Sequence, residues 1–220
     1  MNLPRVDAIL SFQAGLVPST ELPNKLSQIR LNQVKKFVKE SGLQIPILLG
    51  GGQVNYQTKV VRSRPSAEVY KEMLVADGLI DEALVISTGK GFCTVTEALS
   101  YKQVADNNEW NTLLVNSSLE HLHRVNRILS KVFPKGKYKF IDNPFSGFAG
   151  KYMNPQLEEL LLDLFNRNFW WYKQGTIPYT GDEEFFREHQ HYYYPESIHY
   201  VESTRSMYPE QLTAYMGIER

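Results

Sequence analysis

The segment NSSLEHLHR (Asn116–Arg124) gathers Ser117, Ser118, Glu120, His121, His123 and Arg124 into a span of about two helical turns. If Ser117 or Ser118 caps a helix here, His121 and Arg124 stand at i and i+3, near one face. Arg124 then offers a planar, two-pronged donor for a phosphate or carboxylate. An imidazole close to the positive end of a helix is favoured in its neutral form unless an anion is bound. The pair suits anion binding or proton transfer, with His121 as general acid or base. The same spacing also admits a plainer arrangement, a Glu120–Arg124 pair at i, i+4 with both histidines at the surface.

Other chemistry-bearing residues follow short apolar runs. Gln13 and Gly15 lie in QAGLVPS, Gly50, Gly51 and Gly52 in GGGQVN, and Thr94 ends STGKGFCT. These turns would let backbone approach a ligand, and amides at a helix start attract anions. None of them matches G-x-G-x-x-G or a Walker loop. Arg62 and Arg64 are either phosphate contacts or ordinary exposed arginines. Glu68 sits in the first turn of a predicted helix, where the dipole favours an acid. Thr94 and Glu97 form Thr-x-x-Glu, a capping box that accounts for both residues structurally. Cys93 is either a nucleophile or a small buried hydrophobe. His189, His191 and His199 match no metal-ligand spacing, so no metal is expected.

The elements that must position these groups can be read from the apolar pattern. VDAILSF (Val6–Phe12), IPILLGG (Ile45–Gly51), EALVIS (Glu82–Ser87), NTLLVNS (Asn111–Ser117) and YKFID (Tyr138–Asp142) have the length and the mostly apolar character of strands covered on both faces. Helical patterns lie between them: Leu26, Ile29, Val34, Phe37 and Val38 in one, ending at Gly42, then Val69, Met73 and Ala76 in the next. TVTEALSYKQVADN and LEHLHRVNRILSKVF complete the set. This alternation predicts an α/β, three-layer Rossmann-like fold with a mostly parallel five-stranded sheet over residues 1–143. In such a sheet ligands bind outside the carboxyl ends of the strands. Residues 144–220 are predicted as an α-rich, aromatic C-terminal extension packed on it. FWWYKQ and HYYYPE in that extension either cover a core edge or meet a protein partner.

Composition narrows the function. The 24 basic and 24 acidic residues balance, and no basic run exists, so a nucleic-acid binder is not expected. One cysteine excludes an internal disulfide, and a reducing compartment is the natural reading. The N-terminal MNLPRVDAILSFQAG lacks the features of a signal peptide. No apolar stretch approaches the roughly 18 residues of a membrane span. A soluble, cytoplasmic protein with no membrane association is expected.

The order of these segments resembles the YdcF/SanA/ElyC family over roughly Val6 to Asp142. PSTELPNKLSQIRLNQV is similar to the family's first helix, with Arg30 at its arginine. ILLGGG stands where the family has a strand ending in Ser-Gly-Gly, and Glu68 falls at the acid of its Ser-Glu-Ala helix start. VNSSLEHLHR resembles Thr-Ser-x-x-His-x-x-Arg, with Ser118, His121 and Arg124 in register. TGKGFCTVTEA departs from the pattern: it keeps Thr94 and Ala98 but has Thr88, Gly91 and Cys93 where an acid, Ser and Asn are expected, and Thr96-Glu97 replaces Glu-Asn. Many members carry transmembrane segments and act in envelope biogenesis. This chain is more similar to the soluble YdcF branch, which is associated with S-adenosylmethionine. The resemblance implies a small anionic or nucleotide-like ligand, S-adenosylmethionine among the candidates, lined by Gln13, Gly15, Gly50–Gly52, Arg62, Glu68, Thr94, Ser118 and Arg124. Hydrolase or transferase chemistry on a phosphate-containing substrate would use His121. A non-enzymatic ligand sensor or interaction module, using the aromatic segment, is the alternative expectation.

Overall fold

The computed structural model describes residues 5–17, 20–52, 63–89 and 94–150. Within them run β1 (Ala8–Ser11), α1 (Lys25–Ser41), β2 (Ile47–Leu49), α2 (Ser66–Val75), β3 (Val85–Ser87), α3 (Thr94–Asn107), β4 (Thr112–Asn116), α4 (Leu119–Val132) and β5 (Lys139–Asp142). The five strands form one all-parallel sheet in the order β3-β2-β1-β4-β5. The predicted α/β class and five-stranded sheet are therefore observed. The strands are shorter than their apolar runs, and Glu82–Leu84 forms a 3-10 turn rather than the start of β3. Asp81 explains this locally: its carboxylate accepts the Ala83 amide and starts the turn.

The continuous apolar strands are buried on both faces, as parallel strands between helical layers must be. On one side Ile9, Ile47, Leu49 and Leu114 meet Leu31, Val34 and Phe37 of α1 and Tyr70 and Leu74 of α2. On the other, Leu10, Leu48, Leu113 and Val115 meet Val95, Ala98 and Tyr101 of α3 and Leu122, Val125 and Leu129 of α4. Alternate strand residues thus feed alternate layers, as their period of two requires. In α2 Val69, Tyr70 and Leu74 are buried and Met73 packs partly against the core, while Ala76, the C-cap residue, is exposed.

The two ends of α1 show how the sequence fixes the elements. The Asn24 side chain accepts the Ser27 amide at 2.8 Å, and Gly42 closes the helix in the left-handed region at φ 66°. At the far edge Asp7 accepts the Asn111 and Thr112 amides at 2.9 and 2.8 Å, fixing the entry to β4 beside β1. The chain turns from building outward through β2 and β3 to building through β4 and β5 at the β1–β4 pair. That makes the carboxyl ends of β1 and β4 the switch point where ligands are received. No helix among the described residues is long and apolar enough to cross a membrane. The aromatic segment, with His189, His191 and His199, lies outside the described residues, as do Arg62 and Cys93.

Candidate functional site

Polar residues at the last positions of the strands build the floor of the site. Ser11 and Asn116 are register partners on β1 and β4. The Asn116 amide donates to Ser11 Oγ and to the Arg30 carbonyl, each at 3.0 Å, and Asn143 donates to Asn116 Oδ1 at 2.8 Å. Arg30 reaches in from α1 and is only 1% exposed. Its guanidinium donates to the Phe12 carbonyl at 3.3 Å and to Ser118 Oγ at 2.9 Å. Ser118 occupies the N-cap position of α4, yet its hydroxyl caps nothing, because Arg30 has taken it. Gln13 folds back on this floor, donating to Ser11 Oγ at 2.7 Å, and its buried Oε1 has no partner among the described residues.

Above the floor, α3 and α4 bring their first turns together. His121 is 2% exposed and held between two hydroxyls. Nδ1 lies 2.8 Å from Ser117 Oγ, and Nε2 lies 3.4 Å from Thr94 Oγ1. The partly buried Arg124 guanidinium donates to the same Thr94 oxygen at 3.0 Å. Thr94, His121 and Arg124, from two helices, therefore meet at one point. Burial first, then the charges of Arg124 and Arg30, hold His121 well below the usual imidazole range. The sequence led to the same neutral ring through the helix dipole; packing and the guanidinium charges are the stronger causes.

The Glu120–Arg124 pair is not formed. Glu120 instead accepts the Ala149 amide at 2.9 Å and the Gly150 amide at 3.3 Å, clamping the chain beyond β5 against the start of α4. His123 is exposed, so only one of the two histidines belongs to the cluster. The capping box is absent as well. Thr94 is the first residue of α3, and its hydroxyl serves Arg124 and His121. Glu97 is turned into the interior, where burial outweighs the attraction of Arg30 and Arg124 and pushes its carboxyl up to about 8. Spacing alone had a complete structural account of both residues, which is why Glu97 was read as a capping residue.

The glycine turn after β2 is explained by crowding. A methyl group on Gly50 would sit 2.6 Å from Glu97 Cγ and 3.0 Å from the Tyr101 hydroxyl. Gly51 has φ +117°, which only glycine adopts easily. The Gly51 and Gly52 carbonyls accept the Ala67 and Ser66 amides, both at 3.1 Å, and so cap α2. The start of α2 is therefore closed off by backbone instead of standing open to an anion. The Gly15 carbonyl is likewise used, by Ser27 Oγ at 2.9 Å and the Asn24 amide at 3.2 Å. Glu68 stays in the first turn of α2, where its charge acts on Arg64. At the surface Arg64 donates to Glu72 through both of its terminal guanidinium nitrogens.

Tyr101 is a second residue that spacing did not reveal. In a parallel pair the rungs recur every two residues, and Ile9 N–H to the Pro46 carbonyl is one of them. The register makes Gly50 N–H to the Ser11 carbonyl a later rung of the same series. The Tyr101 hydroxyl stands in that gap: it accepts from Gly50 N–H at 2.6 Å and donates to the Ser11 carbonyl at 2.8 Å. A phenol from α3 thus holds β1 and β2 apart where the crevice begins.

No family model, curated protein or solved structure matches this chain. The chemistry of the site must then be argued from the cluster itself. Among the described residues, no group of three or more His, Cys, Asp or Glu side chains is placed to share a metal ion. What the cluster holds is a neutral imidazole, three hydroxyls and two guanidinium groups around the first turns of two helices.

Proposed function

We propose that the protein binds a small anionic molecule, phosphate-bearing or nucleotide-like, at the carboxyl ends of β1, β2 and β4. One observation carries this reading: His121 and Arg124 converge on Thr94, where burial first and then two guanidinium charges keep the imidazole neutral. An anion bound there would offset that charge and raise the proton affinity of His121. Binding and proton uptake are then linked, which suits His121 to general acid–base work in hydrolysis or group transfer. Ser117 fixes the ring, and Arg124 supplies the charged donor. The resemblance to the YdcF branch adds S-adenosylmethionine to the candidates, its carboxylate being the part that fits Arg124.

The test is a thermal-shift panel of S-adenosylmethionine, nucleotides and sugar phosphates on wild type and Arg124→Ala. A true ligand at about a hundredfold its Kd stabilises the fold by roughly 2.7 kcal/mol. Arg124→Ala is expected to weaken that ligand about tenfold or more, the worth of one charge-assisted hydrogen bond. A ligand held equally well by both proteins would move the anion site away from α4.

A further inference from the structure

We propose that Glu97 is a ligand-contacting residue of this site, its carboxyl donating a hydrogen bond to the bound anion. This rests on the anion-binding reading above and adds the device that controls it. Thr94 and Glu97 are three residues apart in the first turns of α3, which sets them on one face. Thr94 is the residue on which Arg124 and His121 converge. The Glu97 stem lies against Gly50, close enough that a methyl there would meet its Cγ at 2.6 Å. The side chain is 8% exposed, and its carboxyl makes no hydrogen bond among the described residues. A polar group so buried is normally bonded, and one left open beside a site is available to a ligand.

The charged and titratable groups acting on it come from three elements. Arg30 approaches from α1 and Arg124 from α4, both attracting the ionised form. His121, also on α4, is neutral and meets Thr94 of the same helix as Glu97, Nε2 lying 3.4 Å from its hydroxyl. On its own helix Tyr101 shares the approach to Gly50. A structural ion pair would hold the carboxyl below its usual range. Burial wins here instead and pushes it up to about 8, so near pH 7 the group is mostly a donor.

Sulfate is the decisive probe, because it stays a dianion throughout the range. Its affinity for the full chain is measured by calorimetry near pH 7 and pH 9 for wild type, Glu97→Gln and Arg124→Met. Wild type should bind roughly tenfold more weakly at the higher pH, the loss expected when a required proton titrates midway between. Glu97→Gln, a permanent donor, should bind like wild type near pH 7 and show no such loss. Arg124→Met should bind weakly at both. A flat wild-type profile, or an undiminished pH loss in Glu97→Gln, would overturn the role of Glu97 while leaving the anion site standing. Sulfate ignored by wild type at both pH values would overturn the anion site and this proposal together. Should Glu97→Gln fail to fold, the NMR shift of the Glu97 carboxyl carbon decides in its place: it must move over the same range in which affinity falls.

Discussion

Tyr101→Phe is expected to destabilise the protein by about 3 kcal/mol, a large loss for the removal of one oxygen. The ring itself would stay, packed edge-on against Phe12 with centroids 5.0 Å apart, so no cavity of consequence forms. What goes is the hydroxyl between Gly50 N–H and the Ser11 carbonyl. Each of those backbone groups would be left buried without that bond, at about 1–3 kcal/mol apiece. Urea unfolding of the two proteins measures the difference directly. A loss below about 1 kcal/mol would mean that β1 and β2 can close up and form the missing rung themselves, and the hydroxyl would then be a convenience of packing.

The second large effect needs no mutation. Between about pH 6.5 and pH 8.5 the ligand-free protein should lose about 2 kcal/mol of stability. The Glu97 carboxyl is raised to about 8 in the fold, while an unfolded glutamate titrates near 4.3. Between those values the folded state holds a proton that the unfolded state has released, so stability falls as pH rises and is exhausted above the folded value. His121 acts in the opposite sense. Its folded proton affinity is depressed, so its cost is felt as pH falls below about 6.5 and has largely vanished above it. Unfolding midpoints across the range should show the decline in wild type and a flat profile in Glu97→Gln. A decline that survives in Glu97→Gln would assign it to another group.

Much of the architecture was legible because both periodicities were strong. The apolar runs named all five strands, and Gly42 and the glycines after the runs marked turns between them. The cluster at Ser117–Arg124 was legible in part: the i, i+3 spacing put His121 and Arg124 on one face, but nothing in it said that Thr94 would meet them from another helix. Local motifs misled where they explained too much. Thr-x-x-Glu is a complete account of Thr94 and Glu97 until α3 is laid against Gly50, and Glu120 at i, i+4 from Arg124 is a complete account of a surface pair until residues 149–150 return to α4. By spacing, as distinct from the resemblance, Arg30 reads as one more polar residue of an amphipathic helix. Only the sheet reveals that it bonds the end of β1 and the cap of α4. One signal was available and unused: Ser11, Asn116 and Asn143 are polar residues at the ends of apolar runs, where hydrophobic burial alone would not place them.

The tyrosine in the β1–β2 gap also bears on how freely the site can adapt. Thr94 and Glu97 lie about two turns and one turn from Tyr101 on the same helix, and a helix is stiff over that length. The first turn of α3 cannot shift toward a ligand without pulling the phenol out of the sheet and breaking two buried bonds. This wall is therefore preorganised: if the proposed anion binds here, little ordering entropy would be lost, and shapes that required it to move would be rejected. Whatever accommodation occurs must come from the longer side chains opposite, Arg124 above all, so selectivity and tolerance are divided between two helices.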